Sequence, residues 1–263
     1  MERDPPSRLI GDLTFLEIST CLRASSILCM PIGSIEQHGP HLPLNTDVVL
    51  AEAYTRRIIA RWGETFDLWQ LPTLAISLAR EHDWAPGTLS LSIHGMTAFM
   101  RDFAREISRS LPARNLAIIN GHGGNRGILE ALAQELRADF GLNICVLHPT
   151  AWPELDTKAE LLEIHGGKNE TSMMLALVPS VVRLERIAQL QSSINRDAVR
   201  AMILDQNVTW PWTTNEKQIA DLGVVGDAQA ASAEFGHRLL SQIDEMAEAV
   251  FRQLLDRQHL VRG

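Results

Sequence analysis

Short apolar runs alternate with longer amphipathic segments along this chain of 263 residues. The strand-like runs lie at 26–32, 68–76, 116–120 and 143–147. Segments whose apolar residues recur at helical spacing lie at 47–62, 93–111, 126–140, 170–178 and 228–257. Strands that alternate with helices of this length form βαβ units, in which helices cover both faces of a parallel sheet. The pattern predicts a three-layer α/β/α fold with a mainly parallel sheet, in a single domain over residues 1–263.

The charge balance narrows the class of protein. Lys and Arg number 24 against 32 Asp and Glu, which gives a formal net charge of −8. A nucleic-acid-binding protein normally carries a basic face, so we expect no nucleic-acid partner. Apolar residues make up 45% of the chain, a value typical of a globular protein with a real core, which excludes disorder.

The sequence also indicates where such a protein works. It contains no run of 18 apolar residues, so no membrane span is predicted. The first twelve residues are too polar for a secretory signal. Cys21, Cys29 and Cys145 are odd in number and form no CxxC pair. Cys29 and Cys145 lie inside apolar strand-like runs, which favours buried free thiols at these two positions. We therefore expect a cytoplasmic protein without a membrane partner.

Acidic and histidine side chains cluster in the loops that follow two of the strand-like runs. The first loop reads GSIEQHGPHLPLNTD over 33–47, and in an extended segment Glu36 and His38 leave the same face. Asp47 lies at the predicted N-cap of the next helix, and the Gly and Pro residues before it can fold the loop back. His122 directly follows the third run. Ligands of parallel sheets bind beyond the carboxyl ends of the strands, so these four side chains are predicted to converge there.

Two carboxylates and two imidazoles form a donor set that suits Zn²⁺ or Mn²⁺. A zinc ion with bound water needs only three protein ligands, so Asp47 is free to bridge two cations about 3.5 Å apart. Alone, each residue has an ordinary role: Asp47 as a helix cap, and His38 or His41 as a loop histidine bonded to the backbone. The GHGGN loop alone could be a turn or a backbone nest for an anion. Together they predict a metal site.

Three motifs stand out: PIGSIEQHGPHLPLNTD at 31–47, which is long and specific, NGHGGN at 120–125 and HGGKNETS at 165–172. In these motifs the chain resembles the creatininase (creatinine amidohydrolase) family. PGTLSLS at 86–92 and GVVGDA at 223–228 support it, so the resemblance spans nearly the whole chain. It implies a three-layer α/β/α protein with a dinuclear metal site, often assembled as a hexamer.

The resemblance also implies how the metals are held. Glu36 and His122 would bind one metal, His38 the other, and Asp47 would bridge them. Two Zn²⁺ per chain are expected, with Mn²⁺ or Fe²⁺ as alternatives. Creatininase itself has a Glu two residues after the loop histidine, and it ligates the second metal; here that position is Gly124.

Another residue must then complete the second site, and Glu170 is our candidate. Its ordinary role would be to complement the dipole of the helix it opens. His165 matches the family position that donates a proton to the leaving group, and its ordinary pKa suits that task. Lys168 stands where many relatives have an acid, so it either pairs with Glu170 or recognises an acidic or carbonyl-bearing substrate. The residues predicted to bind substrate, or to form an apolar lid over it, are Gly123, Gly124, Trp84, Trp152 and Lys168.

These predictions describe a metal-dependent hydrolase that cleaves a cyclic amide or related C–N bond of a small molecule through a metal-bound hydroxide. Other activities in the family are formamide deformylation, trimming of a precursor peptide and opening of a keto-inositol ring. A non-catalytic metal- or anion-binding relative is a further alternative, favoured by Gly124 and Lys168. A nucleotide-binding protein is disfavoured because neither a Walker lysine nor a GxGxxG run is present.

Overall fold

The computed structural model describes residues 7–151, 162–190, 195–205 and 207–258. Within these residues, four strands form one sheet in the order β2-β1-β3-β4, and every pairing is parallel. The strands are β1 (Ile27–Ile32), β2 (Leu68–Gln70), β3 (Asn115–Asn120) and β4 (Asn143–Leu147). The predicted parallel α/β fold is confirmed.

Helices flank this sheet. Their bounds are α1 (Phe15–Cys21), α2 (Thr46–Phe66), α3 (Ile93–Ser110), α4 (Arg126–Phe140), α5 (Lys168–Leu177), α6 (Leu184–Ile187), α7 (Arg196–Val199) and α8 (Ala233–Asp256). Short 3-10 turns lie at Arg80–His82, between β2 and α3, and at Gly123–Asn125, between β3 and α4. No helix in the described part of the chain is both long enough and apolar enough to cross a membrane.

The central strand β1 shows how the two faces of the sheet are filled. Its side chains alternate, so Ile27 and Cys29 join the core formed with α2, α5 and α8. Leu28, Met30 and Ile32 join the opposite core, which contains the apolar faces of α3 and α4. All five are buried. A strand buried on both faces is the signature of a sheet covered by helices on each side, as predicted.

Two boundaries differ from the sequence prediction. The run at 68–76 forms a strand only as far as Gln70, because Pro72 has no backbone N–H to donate to a ladder. Beyond it, Leu74 makes a single bridge to the end of β1. The last helix begins at Ala233 rather than 228, because the Ser232 side chain accepts the first-turn N–H of Phe235 and caps the helix there.

Two glycines bring the start of α2 close to the ends of the central strands. Gly33 follows β1 directly, and a Cβ there would lie 2.5 Å from the backbone N of Val48. Gly121 follows β3 directly, and its Cβ would lie 2.6 Å from the carbonyl oxygen of Asp47. Both distances are shorter than any real Cβ contact. The absence of these two side chains therefore lets the first turn of α2 sit at the carboxyl edge of the sheet.

Substitution of Gly121 tests this packing. Gly121→Ala should lower the free energy of unfolding by about 1–3 kcal/mol, because the added methyl group overpacks a contact with rigid backbone. Gly127→Ala is the matched control, since a Cβ at that position in α4 meets nothing within 4 Å. It should be neutral or stabilise the protein by up to about 1 kcal/mol, the helix preference of Ala over Gly. Urea unfolding of the two variants makes the comparison, and equal midpoints would contradict the packing argument.

Candidate metal centre

Five of the residues predicted from the sequence lie together at the carboxyl edge of the sheet. Glu36 and His38 come from the loop after β1, Asp47 from the first turn of α2, His122 from the loop after β3, and Glu170 from α5. The first four are almost completely buried, and the side chain of Glu170 is 15% exposed. The structure thus brings together groups from four separate chain segments.

Asp47 lies between the two histidines. Its Oδ1 is 3.0 Å from His38 Nε2, and its Oδ2 is 3.0 Å from His122 Nδ1. The helix begins at Thr46 with Asn45 at the N-cap, so Asp47 is in the first turn and is not the cap predicted from the sequence. Both carboxylate oxygens are therefore directed into the cluster, one toward each imidazole.

The remaining carboxylates divide between the two sides of Asp47. Glu36 Oε1 lies 3.1 Å from His122 Nδ1, and Glu170 Oε2 lies 3.9 Å from His38 Nε2. In each group that could hold a cation, the donor atoms lie within 4.8 Å of one another. Among the described residues these groups are Glu36, Asp47 and His122; His38, Asp47 and Glu170; and Glu36, His38 and His165.

The hydrogen bonding of the buried carboxylates fits a cation. Three buried carboxylate oxygens have no hydrogen-bond partner within the described residues: both oxygens of Glu36 and Oδ2 of Asp47. Even so, His122 Nδ1 lies about 3 Å from Glu36 Oε1 and from Asp47 Oδ2. Leaving a buried carboxylate oxygen unpartnered is costly. Donor atoms that lie this close together without hydrogen bonds between them fit a cation that all of them bind. A set of carboxylate oxygens and imidazole nitrogens suits Zn²⁺ or Mn²⁺.

The electrostatics of the cluster show how strongly its groups are coupled. Burial raises the pKa of the Glu36 and Glu170 carboxyls to about 7. Burial alone would lower the pKa of His38, but the neighbouring carboxylates, Asp47 foremost, raise it to about 10. Although burial acts in the opposite direction, His38 and His122 hold the pKa of Asp47 well below its usual range. Such strongly shifted groups concentrate at functional sites.

Glu170 lies at the start of a helix and also faces the cluster. The helix α5 starts at Lys168 with Gly167 as its N-cap, so Glu170 stands in the first turn. Its Oε2 accepts the backbone N–H of Gly166 at 2.6 Å while remaining 3.9 Å from His38 Nε2. A carboxylate in this position is stabilised by the helix dipole and still faces the cluster.

His165 borders the same cluster. Its backbone exchanges hydrogen bonds with Val225, which fixes the residue before α5 begins. Its Nε2 lies 2.6 Å from the carbonyl oxygen of Gln37, and its Nδ1 lies 3.7 Å from Glu36 Oε1. The side-chain nitrogen of Gln37 also lies 3.2 Å from Nε2, but the contact with the carbonyl is shorter and the amide has the carbonyl of Gly223 as an acceptor. A carbonyl can only accept, so Nε2 carries the proton and the lone pair of Nδ1 faces the cluster. Burial, together with the neighbouring His82 and His38, holds the pKa of His165 well below its usual value.

The predicted substrate-binding residues are placed less uniformly. Gly123 and Gly124 form the 3-10 turn next to His122. The ammonium group of Lys168 lies 4.2 Å from the centre of the Phe235 ring of α8, a cation–π contact. Trp84 is 40% exposed, and its indole N–H donates to Thr214 Oγ1 at 3.0 Å. Trp152 lies outside the described residues. Their roles toward substrate stay predictions.

Two residues of the site, Glu81 and His82, were not predicted from the sequence. His82 Nε2 lies 3.3 Å from Glu36 Oε1, and its ring stacks on His165 with the centroids 4.1 Å apart. Glu81 Oε1 lies 3.5 Å from His122 Nε2. The sequence does show an adjacent Glu-His pair shortly before the PGTLSLS stretch. The pair does not directly follow a strand-like run, and its two residues do not have the spacing of a metal-binding motif, so it did not point to the site.

The carboxylate and imidazole cluster at the carboxyl edge of the parallel sheet could hold the divalent cations that metal-dependent hydrolases use. Within that class the chain belongs to the creatininase family, because the family model described as creatinine amidohydrolase matches residues 11–251. The family members named by the comparisons are hydrolases, and so is this chain. The predicted family and enzyme class are thereby confirmed.

Two kinds of relative are similar in sequence to this chain. The mycofactocin precursor peptide peptidase of Mycobacterium tuberculosis (strain CDC 1551 / Oshkosh) is 31% identical over 93% of this chain and 92% of the relative. The creatinine amidohydrolase of Pseudomonas putida is 32% identical over 69% of this chain and 76% of the relative. Solved structures of creatininase in an Mn form and of a mutant in a Zn-Zn form each give a TM-score of 0.72 at 26% identity, over 95% of this chain and 99% of theirs.

Proposed function

We propose that this chain is an amidohydrolase that holds two divalent cations and cleaves an amide C–N bond. The observation that carries the proposal is the position of Asp47, whose two oxygens each lie 3.0 Å from a different histidine. In this assignment Glu36 and His122 would hold one cation, and His38 and Glu170 would hold the other. Asp47 would be shared by both, and Glu170 would supply the carboxylate that Gly124 lacks.

The donor set supports Zn²⁺ or Mn²⁺, with Fe²⁺ as a further candidate, because it offers imidazole and carboxylate groups and no thiolate. The relatives with an Mn form and a Zn-Zn form point the same way. When bound, the two cations polarise a substrate carbonyl and lower the pKa of a water molecule. We therefore propose two cations per chain.

His165 is proposed to move the proton in this reaction. The lone pair on Nδ1 faces Glu36 and the cluster, while Nε2 is held by the carbonyl of Gln37. Because the pKa is held well below its usual value, the ring is neutral at pH 7. Nδ1 is placed to take up a proton from the attacking water and to give it to the leaving nitrogen, the acid role predicted from the sequence. The lowered pKa, unlike the ordinary pKa expected from the sequence, makes the protonated ring a strong proton donor and the neutral ring a weak acceptor.

Two substrate classes are consistent with such a site. A cyclic amide is our first candidate, since the family description and the Pseudomonas relative both name creatinine. A peptide bond is the second, because the similarity to the peptide peptidase covers more of the chain, 93% against 69%. Both are amides, so the same residues serve either substrate.

Turnover assays decide between these classes. The protein is loaded with Zn²⁺ or Mn²⁺ and offered lactams, cyclic ureas, formamides and short peptides, and release of an amine or an opened ring is followed by mass spectrometry. We expect turnover in one amide class by the wild type and none by Asp47→Asn prepared in parallel. Equal turnover by both proteins would show contamination or a mechanism without the metal centre, and would overturn the proposal.

We also propose a cytoplasmic homo-oligomer, with a hexamer as the first candidate. Cys21, Cys29 and Cys145 are all free thiols, which is consistent with a reducing compartment. Phe15 and Ile93 are large apolar side chains that are 83% and 70% exposed, so they are available for contacts between copies of the chain. Light scattering coupled to size-exclusion chromatography measures the assembly, and a monomer would contradict it.

A further inference from the structure

The two ring nitrogens of His122 have different surroundings. Nδ1 faces the oxygens of Glu36 and Asp47 at 3.1 and 3.0 Å. Nε2 is buried and has no hydrogen-bond partner among the described residues. A carboxylate oxygen, Glu81 Oε1, lies 3.5 Å from it. The imidazole therefore has its metal-facing nitrogen on one side and a single carboxylate facing the other.

The glycine at position 124 leaves the space that this carboxylate uses. A Cβ on Gly124 would lie 2.2 Å from Glu81 Oε1 and 2.5 Å from His122 Nε2. No side chain at position 124 fits there without displacing one of the two groups. Gly124 thus does more than omit a carboxylate, because it opens the approach by which Glu81 reaches His122 from a different loop.

The backbone of Glu81 is fixed from a distant part of the chain. Its carbonyl oxygen accepts hydrogen bonds from Thr214 N and Thr213 Oγ1, each at 3.0 Å. The residue sits in the 3-10 turn Arg80–His82, and the side chain is only 16% exposed. An anchored backbone and a largely buried carboxylate hold the acid at a defined place rather than leaving it to move in solvent.

We propose that Glu81 is a positioning residue for the metal ligand His122. The Glu81 carboxylate faces Nε2 of the imidazole at 3.5 Å, so it favours the tautomer with the proton on Nε2 and the lone pair on Nδ1, and it orients the ring toward Glu36 and Asp47. A carboxylate in this role also increases the basicity of the ligating nitrogen. His82, the next residue, contacts Glu36, so one turn supports two ligands of the same cation. The inference rests on the proposed metal centre and adds a residue that acts through a ligand.

The test compares Glu81→Gln with Asp83→Asn in the full chain. Both changes remove one negative charge, two positions apart, but the Asp83 side chain is 53% exposed and lies 3.5 Å from Arg80. The affinity for Zn²⁺ is measured by competition with a chromophoric chelator. We expect Glu81→Gln to weaken Zn²⁺ binding at one of the two sites, the site that contains His122, by about 10–100-fold, the usual effect of losing such a partner. Asp83→Asn should match the wild type.

Two further measurements separate positioning from general support of the fold. Urea unfolding of the metal-free proteins should give the same midpoint for both variants. The visible spectrum of the Co²⁺-loaded protein should change for Glu81→Gln, because the ligand field depends on how the imidazole is oriented, and should not change for Asp83→Asn. Glu81→Asp, which keeps the charge, should recover part of the lost affinity.

The outcomes are distinct. Equal Zn²⁺ affinities for the two variants would overturn the role of Glu81 and leave the metal centre intact. Weaker binding by Glu81→Gln with a lower unfolding midpoint and an unchanged Co²⁺ spectrum would also overturn it, in favour of a merely structural role. Wild-type protein that binds no Zn²⁺ would overturn the proposed function itself, and this inference with it.

Discussion

Asp47→Asn should abolish binding of both cations, because it replaces the one side chain that both sites share. The amide keeps the size of the carboxylate, but it lacks the second anionic oxygen that faces His122 at 3.0 Å while the first faces His38 at 3.0 Å. Polarisation of a carbonyl by such cations contributes several kcal/mol. We therefore expect a fall in kcat/KM of roughly a thousandfold or more. Elemental analysis and turnover of the screened substrate measure the two effects.

Asp244→Asn is the matched control for this substitution. Asp244 is also buried, and its Oδ2 accepts a hydrogen bond from Arg57 at 2.6 Å in the packing between α2 and α8. Its loss should lower stability but leave two cations per chain and near-normal turnover per folded molecule. If both variants held two cations per chain, the bridging role of Asp47 would be wrong.

The second large effect is expected for His165→Asn, and it should differ in kind. This residue is proposed to carry a proton, so its loss should reduce kcat by about 10²–10⁴-fold while the cations stay bound. The His165 side chain belongs to a group with Glu36 and His38, but each of the two proposed sites has three other ligands. Metal content by elemental analysis and steady-state kinetics on the same preparation separate the two contributions.

His41→Asn controls for the loss of a buried imidazole near α5. His41 is fully buried, and its Nε2 lies 2.8 Å from Thr171 Oγ1 rather than from a carboxylate. This variant should keep its cations and most of its turnover. A His165→Asn enzyme as active as the His41→Asn enzyme would remove His165 from the mechanism, and loss of metal in His165→Asn would make it a ligand instead.

The central sheet and the cluster at its carboxyl edge were predictable because the signals are local. Apolar runs mark β1 and β3, and each is followed at once by a loop with unusual polar residues. Parallel strands end at a common edge, so Glu36 and His122 had to meet once the strands paired. The neighbouring positions of β1 and β3 in the sheet complete this argument.

The parts that were not predictable depend on contacts between distant segments. The carbonyl oxygen of Glu81 accepts hydrogen bonds from Thr213 and Thr214, more than 130 positions further along the chain. No periodicity in the sequence predicts a contact between such distant residues. The early end of β2 depends on Pro72 and on its pairing with β1, which extends only from Leu68 to Gln70. The close approach of α2 to Gly121 is a matter of tertiary packing, which a lone glycine in a loop does not reveal.

The number of cations per chain tests the account most directly. The protein is purified without chelator or affinity tag, reconstituted with Zn²⁺ or Mn²⁺, freed of excess metal and analysed for metal and protein in the same sample. Two sites that share Asp47 predict a ratio of about two cations per chain. A ratio of about one would mean that His38 and Glu170 do not hold a cation. No bound metal after reconstitution would contradict the account.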